Sequence, residues 1–146
     1  MKTKQNFQLI EFKTLFLRMI EKMSLEDIDD DFAEEILTLR YCNEFEYQWT
    51  ELSDNCPDIS EIFSKQIVAD SEKIYKSLPK KIHHEISSCI CEDFELLAGY
   101  LIANEDNRYI AEMLLSYADG NIPSLYLEKS EKSIQEAFNE LQDKYR

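Results

Sequence analysis

Residues 24–61 read SLEDIDDDFAEEILTLRYCNEFEYQWTELSDNCPDISE. The stretch holds thirteen acids and one base, Arg40, so it carries −12 of the chain's net −14. It is also rich in large apolar residues: Phe32, Ile36, Leu37, Leu39, Tyr41, Phe45, Tyr47, Trp49 and Leu52. Disordered acidic tails are poor in aromatics. A segment that is acidic and aromatic at once reads as a folded, charged surface. Asp29, Asp30 and Asp31 stand just ahead of Phe32, where acids suit the positive end of a helix. Tyr41, Phe45 and Trp49 recur every four residues, which predicts one helix from about Asp31 to Leu52 with an aromatic stripe. Phe32, Ile36 and Leu39 fall on another face, so this helix is expected to be central to a bundle.

Outward from that stretch, the apolar spacing stays helical. Phe7, Ile10, Phe12, Leu15, Phe16, Met19, Ile20 and Met23 give the first helix a wide apolar face. Its region is basic, and so a natural neighbour for the acidic helix. Pro57 is placed to start a third helix running to Pro79, because a first turn does not need the missing donor. A fourth follows from about Lys80 to Ala103, with Gly99 marking a close helix crossing. Asn104-Glu105-Asp106 reads as the start of a fifth, which Gly120 closes. The last begins near Pro123 or Ser130. With two glycines and three prolines in 146 residues, an all-β fold lacks its turn residues. The expectation is an all-α, compact bundle of five or six helices with short loops, forming a single helical domain over residues 1–146.

Composition narrows the function classes. A charge of −14 repels nucleic acid and anionic membrane, and favours a basic protein surface or a cation. Charged residues interrupt the N-terminal apolar run, and no stretch reaches the roughly 20 apolar residues of a membrane span. A cytoplasmic protein with reduced cysteines is expected; Cys42, Cys56, Cys89 and Cys91 lack the spacing of a disulfide scaffold or zinc module.

Catalytic motifs are missing from the chain. His83-His84-Glu85 with Cys89 and Cys91 is the best metal candidate, yet His83 and Cys89 are six apart and point to different faces of a helix. Neither histidine follows a glutamate by three positions, so a di-iron bundle fails. No glycine-rich phosphate loop is present. We therefore expect no enzyme, no metal and no cofactor.

The acid run carries the functional signal. Asp27/Asp31, Asp30/Glu34 and Asp31/Glu35 are like-charge i, i+4 pairs, each destabilising by a few tenths of a kcal/mol. Binding is a reason to tolerate that repulsion. The expected partner-binding residues are Asp29, Asp30, Asp31, Glu34, Glu35, Tyr41, Glu44, Glu46, Trp49, Glu51 and Asp54, an aromatic anchor ringed by carboxylates. Core packing of Tyr41, Phe45 and Trp49 is the competing reading.

In size, helicity, the acid block Asp29–Glu35 and the aromatics beside it, the chain resembles the acidic helical immunity proteins of bacterial toxin–immunity pairs, including those of contact-dependent inhibition systems. The resemblance implies a binding protein, monomeric in its complex, that blocks a toxin, here most naturally a nuclease with a basic groove. A nucleic-acid mimic would instead space its acids along a long exposed line. A helical adaptor would bind without inhibiting.

Overall fold

The computed structural model describes residues 2–146, with side chains from Lys4 onward. Met1 and the Lys2 side chain, both part of the N-terminal reading, lie outside that description. Seven α-helices follow in order: α1 Lys2–Lys22, α2 Asp30–Arg40, α3 Asn43–Asp54, α4 Glu61–Ser77, α5 His84–Ala103, α6 Arg108–Ala118 and α7 Ile134–Tyr145. One 3-10 turn, Leu25–Asp27, links α1 to α2. The all-α class holds, with seven helices among the described residues rather than five or six.

The difference arises at Tyr41 and Cys42. The helix expected over Asp31–Leu52 is two helices, α2 and α3, and the break has a packing cause. Ala33, Ile36, Leu37 and Arg40 form the buried face of α2. A continuous helix would turn Glu44 and Tyr47 inward next. Breaking the chain at Tyr41–Cys42 resets the phase, so that Phe45, Gln48 and Leu52 point inward instead.

Several boundaries move for capping reasons. Pro57 lies in an irregular link, and α4 begins after Ser60, whose hydroxyl accepts from the Phe63 N–H. The fourth helix starts at His84 rather than Lys80, with His83 Nδ1 accepting from the Glu85 N–H. Asn104 closes α5 in the left-handed region, while Asn107 caps α6 by accepting from Tyr109 and Ile110. Gly120 sits just past α6 at φ +88°, as a C′ glycine should. Ser133 and Glu136 form a reciprocal capping box that opens α7.

The central helix is α5, not the acidic segment. Fourteen of its twenty residues are buried, and it packs against α1, α2, α4 and α6. Phe12 stacks on Phe94 at 5.3 Å, and Phe16 meets Phe94 and Tyr117 edge-on or tilted. Basic α1 packs chiefly on α4, α5 and α7 rather than on the acidic helices. Its cations find other partners: Lys13 reaches Asp70, and Lys22 lies over the Tyr145 ring. Gly99 makes its close approach to a loop instead of a helix; a Cβ there would stand 2.9 Å from Cys56 Sγ.

Not every loop is short. Residues 119–133 join α6 to α7 without regular structure, a length uncommon inside compact domains unless it has work to do. This strap crosses α2 and α3 and is tied down along its course. Arg40 Nη1 donates to the Pro123 carbonyl at 2.7 Å. The Gln48 side chain pairs with Leu127 in both directions, at 2.9 and 2.7 Å. The Ser130 N–H donates to the Arg108 carbonyl.

Candidate functional site

Helices α2 and α3 lie on the outside of the bundle and present the acid-rich sequence to solvent. Asp29, Asp30, Asp31, Glu34 and Glu35 are exposed on and beside α2, as are Glu44, Glu46, Glu51 and Asp54 on α3. Asp29 also has a structural task, since its carboxylate caps α2 by accepting from the Phe32 N–H at 2.8 Å. Among the described residues, none of these nine carboxylates takes part in an ion pair.

Arg40, the only base in the stretch, is absent from this surface. It is buried against Asp93 of α5 in a two-pronged pair, Nη1 to Oδ2 at 2.9 Å and Nη2 to Oδ1 at 2.8 Å. The Trp49 indole donates to Asp93 Oδ1 at 2.9 Å, and the Tyr117 hydroxyl to Oδ2 at 2.6 Å. All four acceptor sites of the carboxylate are thereby filled. Burial works against the charge on Arg40, but the Asp93 charge and its hydrogen bonds outweigh burial and raise the guanidinium pKa. Burial first, and then the Asp93 charge, holds the Tyr117 hydroxyl protonated well above the usual phenol range.

The aromatic stripe divides among three environments. Tyr41, at the helix break, is 55% exposed, Phe45 is 2% exposed beneath the Arg40 guanidinium, and Trp49 is half-buried with its N–H turned to Asp93. Of the aromatics expected at a binding face, only Tyr41 is fully available there, so they do not form a single anchor.

Between α2 and the strap runs a groove of about 660 Å³. Phe32 and Leu39 of α2 and Leu125 and Tyr126 of the strap form its walls, and Glu35, Glu112 and Glu128 lie along it. Glu112 belongs to α6, so this groove brings an acid from a helix distant in sequence beside Glu35 of α2. Phe32 reads from sequence only as an apolar position of a central helix, and Leu125 and Tyr126 carry no periodic signal at all. Asp93 stands in sequence between Glu92 and Glu95, one acid among several. The signal for it is positional, because Cys89, Asp93 and Leu97 recur every four residues on the apolar stripe of α5.

The remaining chemistry-bearing residues are separated or packed. His83 and His84 stack on each other at 5.2 Å. Cys89 and Cys91 are buried, and burial pushes the Cys91 thiol up to about 11. No group of three His, Cys, Asp or Glu among the described residues could hold a metal ion. No helix among them is long and apolar enough to cross a membrane.

A family model described as Immunity protein PIM1 matches residues 12–124. The chain belongs to the PIM1 immunity protein family. The matched span runs from Phe12 in α1 to Ser124 in the strap, and so contains α2, α3, the Arg40–Asp93 pair and most of the groove. An immunity protein of this family has a toxin as its partner and acts by neutralising it, in general without catalysis of its own. No curated protein and no solved structure matches the chain.

Proposed function

We propose that this PIM1 family member neutralises a basic toxin domain, most naturally a nuclease delivered by a contact-dependent system, by docking the acidic surface of α2 and α3 over its active-site groove. The supporting observation is the placement of Arg40. The one cation in the acidic stretch is withdrawn to Asp93 inside the bundle, which leaves nine exposed carboxylates without a countercharge. A nuclease groove that holds phosphate through lysines and arginines is complementary to such a surface. Charge complementarity of this kind raises association rates to about 10⁸–10⁹ M⁻¹s⁻¹ at low salt. A single helical domain acting as a monomer in a 1:1 complex, in the cytoplasm, completes the reading, and no cofactor is needed.

The test is co-expression with the C-terminal domain of the neighbouring upstream reading frame, taken as the candidate toxin. Rescue of growth and a 1:1 complex are expected. A variant carrying Asp30→Asn, Asp31→Asn, Glu34→Gln, Glu44→Gln and Glu46→Gln should associate about 10- to 1,000-fold more slowly at low salt, with a flattened salt dependence. Unchanged association would show that the carboxylates are only a solvated face. A complex that leaves the toxin active would favour an adaptor.

A further inference from the structure

We infer that the groove between α2 and the 119–133 strap is the site at which the toxin inserts an apolar residue flanked by arginine, and that Leu125 and Tyr126 form the gripping edge. This deepens the toxin-neutralising reading above and rests on it.

The strap supplies the first argument. Arg40 holds Pro123 by its carbonyl, and Gln48 holds Leu127 by both its N–H and its carbonyl. Pro123 and Leu127 are buried. Between these pins the chain turns outward, leaving Leu125 66% and Tyr126 57% exposed. Opposite them Phe32 is 51% exposed. Large apolar side chains held in water on a rigidly tied loop, facing another across a groove, are what an interface hot spot requires. Fixing the loop at both ends also lowers the ordering cost of binding.

Charge identifies the occupant. Three carboxylates line the groove, Glu35, Glu112 and Glu128, and no lysine, arginine or histidine does. An apolar side chain alone would leave those carboxylates partly desolvated and unanswered. Arginine answers them, because its planar fork pairs two-pronged with a carboxylate and stacks on an aromatic face such as Tyr126. Phe32, Leu125 and Tyr126 keep half or more of their surface in water, so a small ligand would stay largely hydrated against them. A protein segment covers both walls at once.

The division of labour is then kinetic. The α2–α3 carboxylates outside the groove steer the encounter, and the groove holds the complex once formed. The experiment measures association and dissociation rates of the full chain against the same candidate toxin domain. One variant carries Phe32→Ala and Leu125→Ala; the other is the five-site carboxamide variant above, which leaves every groove residue intact. The groove variant should weaken affinity about 30-fold or more, through faster dissociation, with its salt dependence unchanged. A photoreactive residue at position 126 should cross-link to a toxin segment next to an arginine. Both truncated side chains are half or more exposed, and an unchanged thermal melt checks that the fold survives.

Affinity within threefold of wild type for the groove variant, with the carboxamide variant weakened, overturns the groove and leaves the acidic docking surface standing. The reverse pattern keeps the groove and removes the carboxylate surface. A wild-type dimer that the groove variant dissociates, with toxin binding retained, assigns the groove to a second copy of this chain and overturns the inference. Failure of the wild-type chain to bind the toxin domain removes both readings.

Discussion

Arg40 and Asp93, fifty-three positions apart, meet inside the bundle as a two-pronged ion pair that ties the acidic surface to the central helix. Asp93 takes donors from α2, α3 and α6, and Arg40 passes the link on to the strap through the Pro123 carbonyl. Beside the apolar packing of α2 and α3, one buried carboxylate thus gathers polar links from three helices.

Asp93→Asn should therefore be severe. Three of the four donors facing Asp93 are N–H groups of Arg40 and Trp49 that cannot accept, so an amide NH₂ placed there could find only the Tyr117 hydroxyl, and Arg40 keeps a buried, uncompensated charge. A loss of about 3–5 kcal/mol is expected, read by urea unfolding. Trp49, the single tryptophan, reports on the site directly, and its fluorescence should shift before the chain unfolds globally. A loss under 1 kcal/mol would contradict the role of the pair.

Gln48→Ala should release the strap without melting the bundle. It leaves the Leu127 N–H and carbonyl without their partners, and unsatisfied buried polar groups cost about 1–3 kcal/mol. Hydrogen exchange at Leu127 should accelerate while the amides of α5 stay protected. Equal acceleration in both places would mean that the strap and the core open as one unit.

Gly99 and Cys56 should couple. Alanine at 99 gains up to about 1 kcal/mol of helix propensity, but its Cβ overlaps the Cys56 sulfur. Gly99→Ala alone is expected to destabilise by about 1–3 kcal/mol. In a Cys56→Ala background, with the sulfur gone, the same change should be neutral or stabilising. Additive behaviour of the two substitutions would refute the contact.

Alkaline pH should weaken the fold through two tyrosines. Burial pushes the Tyr100 hydroxyl up to about 12, and Tyr117, buried and beside Asp93, lies well above its ordinary 10. Both are raised, so the folded state keeps protons that the unfolded chain releases from about pH 10. Their contribution is complete below that pH and falls as pH rises through 10 toward 12 and beyond. Denaturation midpoints should drop across this range. Tyr117→Phe should flatten the drop, although it costs some stability at neutral pH by removing a bond to Asp93.

Much of the fold could be read along the chain. The 3.6-residue periodicity of Phe12, Phe16 and Met19, or of Ile86, Ile90, Phe94 and Leu97, is a local property, and it locates α1 and α5 without tertiary information. The resemblance to immunity proteins drew on size, helicity, the acid block Asp29–Glu35 and the aromatics beside it, all of them properties of composition and local pattern. The break at Tyr41–Cys42 was less accessible, because it depends on which of two helical phases the core accepts. Pro57 misled because it permits a first turn but does not cap one, whereas Ser60 does.

The sequence by itself determined that this is an all-helical, strongly acidic chain whose charge is concentrated in one segment, because helix periodicity and net charge are set by neighbours a few residues apart. The tertiary structure alone decided that Arg40 leaves the acidic surface for Asp93, that Trp49 turns inward while Tyr41 does not, and that the strap holds Leu125 and Tyr126 opposite Phe32. Each of these brings together residues dozens of positions apart. Such pairings are selected by burial and by the cost of an unpaired buried charge, and neither exists until the helices have packed.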